Sequence, residues 1–284
     1  MSNFISYFKL TKPGIVMGNA ITCAGGFMLA AQGDIIWNVF FLVLTGLNLI
    51  VGSGCVLNNY FDRHHDAKMA RTKNRPLVKG DISVEKALIF AGFLWLIGSG
   101  ILLIGSNLLT VCLAWAGWVI YLMFYTFLKY HTFHATLVGS IAGGIPPIVG
   151  YLSVIPEING TISIFFLMIS FWQMPHFYAI SIYRFEEYAL ASIPVLPVIK
   201  GMEATKKQIL FYLMGFLGIS LLLLFFESVS LFYVGIVVSL GGIWLLIALI
   251  GFNRLNDKKW ARLMFFCSLA VIIGISLTVP FFYL

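Results

Sequence analysis

Three oxygen-bearing side chains recur at helical spacing just after the second hydrophobic stretch of the chain. Asn58, Asp62 and Asp66 stand at positions i, i+4 and i+8. If the second helix continues through them, they share one face, with about 40° of drift per step. The two carboxylates would then lie about 6 Å apart along the helix axis. Mg²⁺ prefers a few carboxylates completed by phosphate oxygens, so this spacing predicts a site for Mg²⁺ and a phosphate-bearing substrate.

Two arginines repeat the same spacing downstream of the acids. Arg71 and Arg75 are placed to hold phosphate oxygens bidentately. A charged cytoplasmic loop is the simpler interpretation, and it explains the arginines. It does not explain two acids and an asparagine in helical register, because acids contribute little to topology and are costly beside hydrocarbon.

A second polar cluster follows the sixth hydrophobic segment, four segments after the first and on the same predicted side. Its residues are Gln173-Met174-Pro175-His176-Phe177-Tyr178 and Tyr183-Arg184-Phe185-Glu186-Glu187-Tyr188. The interval suggests a pseudo-repeated four-helix unit, and Pro175 is expected to bend its helix. Glu186 and Glu187 are also compatible with solvated loop acids, and His176 with a hydrogen-bonded core residue.

The composition defines the elements that must carry these clusters. Of 284 residues, 60% are hydrophobic and 10% charged, against about 25% charged in soluble domains. With a mean hydropathy of +0.96, this excludes a soluble enzyme, a disordered chain and a disulfide scaffold. The unbroken apolar runs exclude a porin-like barrel. We expect an all-α, polytopic membrane protein forming one domain over residues 1–284.

Nine hydrophobic segments can be delimited, each long enough to span a membrane. Their approximate limits are 15–32, 37–57, 87–106, 108–128, 135–154, 161–182, 208–227, 229–250 and 262–283. All 18 Lys and Arg residues fall before the first segment or in the breaks on that same side. The positive-inside rule therefore predicts a cytoplasmic N-terminus and polar breaks, and an external C-terminus, in the plasma or inner membrane. The net charge of +7 reflects this topology, and no nucleic-acid-binding module is visible.

The first polar cluster resembles the first acidic motif of UbiA-type intramembrane prenyltransferases. The wider match resembles the branch of that superfamily that farnesylates haem. It includes Thr11-Lys12-Pro13-Gly14, Tyr125-Thr126, Gly143-Gly144-Ile145-Pro146-Pro147, Trp172-Gln173-Met174-Pro175-His176-Phe177 and Ile193-Pro194-Val195-Leu196-Pro197. This resemblance implies nine helices around a central cavity and transfer of farnesyl from farnesyl diphosphate to a vinyl group of haem b, assisted by Mg²⁺. It also implies contact with membrane lipid and a downstream haem-modifying or oxidase-assembly partner.

The resemblance and the spacing together assign candidate roles. We expect Asp62, Asp66 and Asn58 to be catalytic and, with Glu187, to hold the metal. The candidate diphosphate-binding residues are Arg71, Arg75, Lys129 and Arg184, and the candidate acceptor-binding residues are His176, Asn59 and Tyr125. Asn59 is also a candidate for orienting the metal shell.

The chain departs from the family pattern at two positions. Lys129-Tyr130-His131 stands where the family usually has Lys-Arg, which removes one cation from the expected diphosphate shell. Glu187 stands where the family often has Asp, and its longer arm leaves the geometry of the second acidic site open.

Three alternatives remain at this stage. The same fold could act on a quinone or chlorophyll-type acceptor, since the acceptor depends on a pocket that one sequence does not define. A secondary transporter also suits repeated helical units, but no charged residue lies near the centre of any span. A non-catalytic assembly protein leaves the spaced acids unexplained.

Overall fold

The structure, a computed structural model, describes residues 3–226 and 229–283. Every regular element in these ranges is helical. In chain order the helices are α1 (Asn3–Leu10), α2 (Pro13–Ala31), α3 (Trp37–Asp66), α4 (Pro76–Lys79), α5 (Val84–Gly105), α6 (Leu108–Val119), α7 (Thr126–Leu128), α8 (Ala135–Leu152), α9 (Gly160–Tyr183), α10 (Phe185–Leu190), α11 (Leu196–Lys200), α12 (Met202–Leu221), α13 (Leu231–Gly251) and α14 (Asp257–Thr278).

Nine spans, counted over the described ranges, are long and apolar enough to cross a membrane. They are α2, α3, α5, α6 together with α7, α8, α9, α12, α13 and α14. A π-helical turn, Ile120–Tyr125, joins α6 to α7, so these form one span. The all-α membrane class and the nine segments predicted from hydropathy are confirmed.

Most helix ends differ from the predicted segment limits, and several helices extend into polar sequence. Helix α3 runs to Asp66 rather than to 57, and its 30 residues measure about 45 Å. A hydrocarbon core is about 30 Å thick, so the helix extends well beyond one. Helices α12 and α14 begin five or six residues early because ion pairs hold their polar first turns, including Lys206 with Asp257 at 2.6 Å. The predicted break at 227–228 lies outside the described residues.

The packing of α2 against α8 brings backbone against backbone. A Cβ added at Gly26 would lie 1.9 Å from the carbonyl oxygen of Pro147, and one at Gly150 would lie 2.0 Å from that of Cys23. Helix α2 also packs on α3 and α14, and α8 packs on α6 and α9. The glycine-rich run 139–147 therefore serves close helix packing, as its composition predicts. Helix α9 is continuous through Pro175.

Candidate active site

Helix α3 presents the three spaced residues on successive turns near its end. Asn58, Asp62 and Asp66 are 2%, 6% and 2% exposed, although two of them carry carboxylates. The sequence ends the second hydrophobic segment at 57 and predicts a shared face only if the helix continues, and α3 does continue through all three residues. Buried carboxylates require charged or hydrogen-bonding partners, and each has them.

Asp62 is bound by two consecutive residues that follow the fourth span. Lys129 Nζ lies 2.6 Å from each carboxylate oxygen, and the Tyr130 hydroxyl donates to Oδ1 at 2.5 Å. Burial lowers the pKa of Lys129, while the adjacent Asp62 opposes that shift. Burial and the same carboxylate raise the pKa of Tyr130, so its hydroxyl remains a proton donor at neutral pH.

Asp66 is bound by an arginine nine residues downstream. Arg75 Nη1 lies 2.5 Å from Asp66 Oδ2, which makes an ion pair with a nearly buried acid. The Thr72 hydroxyl donates to the backbone carbonyl of Asp66 at 2.9 Å and fixes the turn that brings the arginine back. Arg75 therefore pairs with the first acidic motif, whereas Arg71 pairs with Glu187 of the second, and the diphosphate-binding role of both stays a prediction.

Asn58 links this cluster to the N-terminal part of the chain. Its amide nitrogen donates to the Thr126 hydroxyl at 3.0 Å, and its amide oxygen accepts a hydrogen bond from Lys12 Nζ. Lys12 sits at the start of α2 in the left-handed region, with φ = 52°, a strained conformation for a side chain of this kind. Burial, reinforced by Arg75, lowers the pKa of Lys12 to about 8, so it is still mainly a cation at pH 7.

The second acidic cluster centres on Glu187 in α10. Its Oε1 accepts from Arg184 Nη1 at 2.8 Å, and its Oε2 lies 3.7 Å from Arg71 Nε. That second oxygen is buried and accepts no hydrogen bond. Glu186 is exposed, which matches the interpretation of a solvated loop acid.

A small apolar cluster holds the two acidic motifs together. Met69, which follows the first motif, packs with Ala191 and Ile193, which follow the second. Tyr130 and Tyr188 pack against the same cluster. The loops after α3, α7 and α10 therefore form one unit, and this unit carries the arginines, the lysine and Glu187.

The three predicted acceptor-binding residues lie in different surroundings. The Asn59 amide donates to the backbone carbonyls of Leu10 and Cys55 at 2.8 and 2.9 Å, so it ties α1 to α3. The Tyr125 ring centre is 5.6 Å from Lys129 Nζ. His176 faces α14, where its Nδ1 lies 2.7 Å from Ser268 Oγ. Their roles toward an acceptor remain predictions.

The donor set fits a divalent ion that shares its shell with a phosphate-bearing substrate. Across residues 3–226 and 229–283, no three His, Cys, Asp or Glu residues come together at metal-binding distance. Two buried carboxylates one helical turn apart nevertheless suit Mg²⁺, which takes few protein ligands and retains positions for phosphate oxygens. The buried Glu187 Oε2, which lacks a donor, is a third candidate ligand.

Two members of the cluster, Lys12 and Tyr130, were not among the predicted site residues. Lys12 had a signal, since it lies in the Thr11-Lys12-Pro13-Gly14 motif of the resemblance. The only sequence signal for Tyr130 was its departure from the Lys-Arg pattern. Their partners are 46 and 68 residues away in the chain, and contacts of that range depend on how the helices pack.

Comparisons with known proteins identify the family of the chain. The model of the UbiA prenyltransferase family matches residues 19–270. The protoheme IX farnesyltransferase of Protochlamydia amoebophila is 45% identical over 97% of each chain, and that of Cronobacter sakazakii is 43% identical over 95% of this chain and 92% of its own.

Solved structures share the fold at low identity. A digeranylgeranylglyceryl phosphate synthase is 16% identical, with a TM-score of 0.80 and coverage of 99% and 98% of the two chains. A UbiA homologue from Archaeoglobus fulgidus, bound to DMAPP and Mg²⁺, is 16% identical, with a TM-score of 0.75 and coverage of 97% and 99%. The family model covers most of the chain and the farnesyltransferase relatives cover nearly all of it, so the chain belongs to the UbiA prenyltransferase family.

Proposed function

We propose that this protein transfers a farnesyl group from farnesyl diphosphate to a vinyl group of haem b, giving haem O. The structural observation that carries the proposal is the pair of buried carboxylates, Asp62 and Asp66, each matched with its own cation at the end of a membrane helix. The acceptor is inferred from the relatives, which are named protoheme IX farnesyltransferase over nearly the full length of this chain.

The first chemical step is loss of diphosphate. The bond between C1 of the farnesyl group and the diphosphate oxygen breaks, and its electron pair leaves with the diphosphate. Asp62 and Asp66 would hold Mg²⁺ at the first motif and Glu187 would hold it at the second, and the metal would supply charge neutralisation to the leaving group when bound. The cations at the site bind the remaining phosphate oxygens and favour the charge that develops on them. They are Lys12, Arg71, Arg75, Lys129 and Arg184.

The second step joins the farnesyl group to the acceptor. The terminal vinyl carbon of haem b bonds to C1, and the positive charge passes to the vinyl carbon beside the porphyrin ring. Water adds there and loses a proton, which leaves the hydroxyl group of haem O. The apolar helices around the site keep bulk water from the farnesyl cation until the carbon–carbon bond has formed. His176, Asn59 and Tyr125 are the proposed acceptor-binding residues.

We place the enzyme in the plasma or inner membrane, with the acidic motifs at the cytoplasmic face. Both substrates suit that position, because the farnesyl chain and the porphyrin partition into lipid while the diphosphate needs the aqueous side. Residues 1–284 act as one prenyltransferase domain in this proposal, and haem O passes to a downstream haem-modifying or oxidase-assembly partner.

Release of diphosphate tests the coupling of donor to acceptor. The purified protein should release diphosphate from farnesyl diphosphate when Mg²⁺ and haem b are both present, and Asp66→Asn should remove that release. Release that requires a quinone precursor instead of haem b would keep the donor chemistry and replace the acceptor. Absence of release with every prenyl acceptor would contradict the proposal.

A further inference from the structure

Tyr130 contributes a neutral donor to the first acidic motif, beside the charged donor of Lys129. Its hydroxyl is 2.5 Å from Asp62 Oδ1, and Lys129 Nζ is 2.6 Å from both oxygens of the same carboxylate. Asp62 thus has one charged and one neutral donor.

The ring of Tyr130 is fixed independently of its hydroxyl. It stacks on His65 of α3 with ring centres 3.9 Å apart and planes inclined by 19°. It also packs against the cluster of Met69, Ala191 and Ile193, which joins the loops of the two acidic motifs. These contacts leave the hydroxyl little freedom, so it holds Asp62 in one orientation.

The two donors on Asp62 differ in what they can do during the reaction. Lys129 is a cation on a flexible stem and can exchange the carboxylate for a phosphate oxygen. Tyr130 carries no charge and its ring is held on two sides. The diphosphate therefore does not draw its hydroxyl away from Asp62.

We propose that Tyr130 is a positioning residue that orients Asp62 for metal binding and remains hydrogen-bonded to it when Lys129 turns to the diphosphate. This inference rests on the proposed function, since it assumes that Asp62 holds the metal. It predicts that loss of the hydroxyl weakens metal binding while the fold and the remaining diphosphate contacts persist.

The test compares Tyr130→Phe with the parent in the full-length protein. Binding of Mn²⁺, used as a probe in the presence of farnesyl diphosphate, is measured by electron paramagnetic resonance. Loss of a residue that orients a metal ligand typically costs 10- to 100-fold in metal affinity. We expect about tenfold weaker Mn²⁺ binding, about tenfold more Mg²⁺ for half-maximal rate, and recovery of kcat at saturating Mg²⁺.

Two further variants separate positioning from a general structural effect. Tyr60→Phe removes a hydroxyl from α3, the helix that carries Asp62, at a residue whose ring lies under Arg63. It should leave the Mg²⁺ response unchanged. Tyr130→Arg restores a donor of similar reach and should keep Mn²⁺ affinity closer to the parent than Tyr130→Phe does. If Tyr130→Phe lowers the thermal midpoint too far for titration, the arginine variant is compared with the parent alone, and Mn²⁺ binding about tenfold or more weaker than in the parent overturns the role of Tyr130.

The outcomes distinguish this inference from the proposed function. Unchanged Mn²⁺ affinity in Tyr130→Phe, or a rate defect that saturating Mg²⁺ does not relieve, overturns the role of Tyr130 while the parent still transfers farnesyl. An arginine variant that binds Mn²⁺ no better than the phenylalanine variant overturns it as well. A parent protein that neither binds Mn²⁺ with farnesyl diphosphate nor releases diphosphate contradicts the proposed function itself.

Discussion

At the scale of single residues, the site is a set of buried charges whose partners come from distant parts of the chain. Removing one partner of a buried ion pair leaves the other charge uncompensated, which typically costs about 3–5 kcal/mol. Asp62 and Lys129 form such a pair, with side chains 8% and 16% exposed. A substitution at Asp62 therefore alters stability as well as chemistry, and its test has to separate the two.

We predict that Asp62→Asn lowers turnover by at least about 100-fold, because the amide lacks the charge that would hold Mg²⁺. The variant should also be less stable, since Lys129 loses its counter-ion. Adding Lys129→Gln to Asp62→Asn removes both charges and should raise the thermal midpoint again without restoring turnover. Full activity in Asp62→Asn or Asp66→Asn, at unchanged Mg²⁺ dependence, would remove the acidic motif from the mechanism.

His176 tests the acceptor assignment at the same scale. Its ring stacks on Trp172 at 5.2 Å between ring centres, and its Nδ1 lies against Ser268. If its other ring nitrogen contacts haem, His176→Ala should weaken haem affinity about tenfold or more, with farnesyl diphosphate binding nearly intact. The exposed His131, replaced by alanine, is the control. A stability loss with unchanged haem affinity would make His176 a packing residue.

The acids could be found from the sequence because their spacing is local, whereas the sequence does not show which side chains pair with them. A step of four residues identifies one helix face without any knowledge of the fold, which is why Asp62 and Asp66 were predictable. Lys12 and Tyr130 reach α3 only after the spans have packed. The amine of Lys12 and the hydroxyl of Tyr130 carry no periodic signal, and the motif that contains Lys12 does not reveal its contact with Asn58.

At the scale of elements, hydropathy locates the spans but not their ends or their contacts. The spans are 18 to 30 residues long and predominantly apolar, which is a strong signal. The polar last turns of α3 have no such signal, yet they carry the site. The close approach of α2 and α8 depends on glycines whose importance is visible only when both backbones are placed, as at Gly26 and Gly150.

We predict that Gly150→Ala destabilises the protein by about 1–3 kcal/mol, because the new Cβ would meet the Cys23 carbonyl and push α2 from α8. Gly18 lies in α2, the other helix of this contact, and has nothing within 4 Å of an added Cβ. Gly18→Ala should therefore be neutral or slightly stabilising through helix propensity. Thermal unfolding in detergent measures both. Equal midpoints for the two variants would show that the α2–α8 contact tolerates separation.

At the scale of the whole molecule, the charge distribution predicts the orientation in the membrane. All 18 Lys and Arg residues lie on one predicted face, and the nine spans then place the two ends of the chain on opposite sides. The acidic motifs belong to the cationic face, so this orientation also predicts from which side the diphosphate is bound.

A reporter fused to the C-terminus checks that orientation. We expect activity from a reporter that works outside the cytoplasm, and none from one that works only inside it. The same reporters placed after Lys129, between α7 and α8, should give the opposite result. A C-terminal reporter active only in the cytoplasm would contradict the odd number of spans.

The mass of the haem product tests the central claim most directly. The purified protein, incubated with farnesyl diphosphate, Mg²⁺ and haem b, should convert haem b to a product that is heavier by one farnesyl group and one hydroxyl group. The Asp66→Asn variant should yield none. If the parent leaves haem b unchanged while it prenylates a quinone or chlorophyll-type acceptor under the same conditions, the protein is a prenyltransferase of another specificity and the proposed function is wrong.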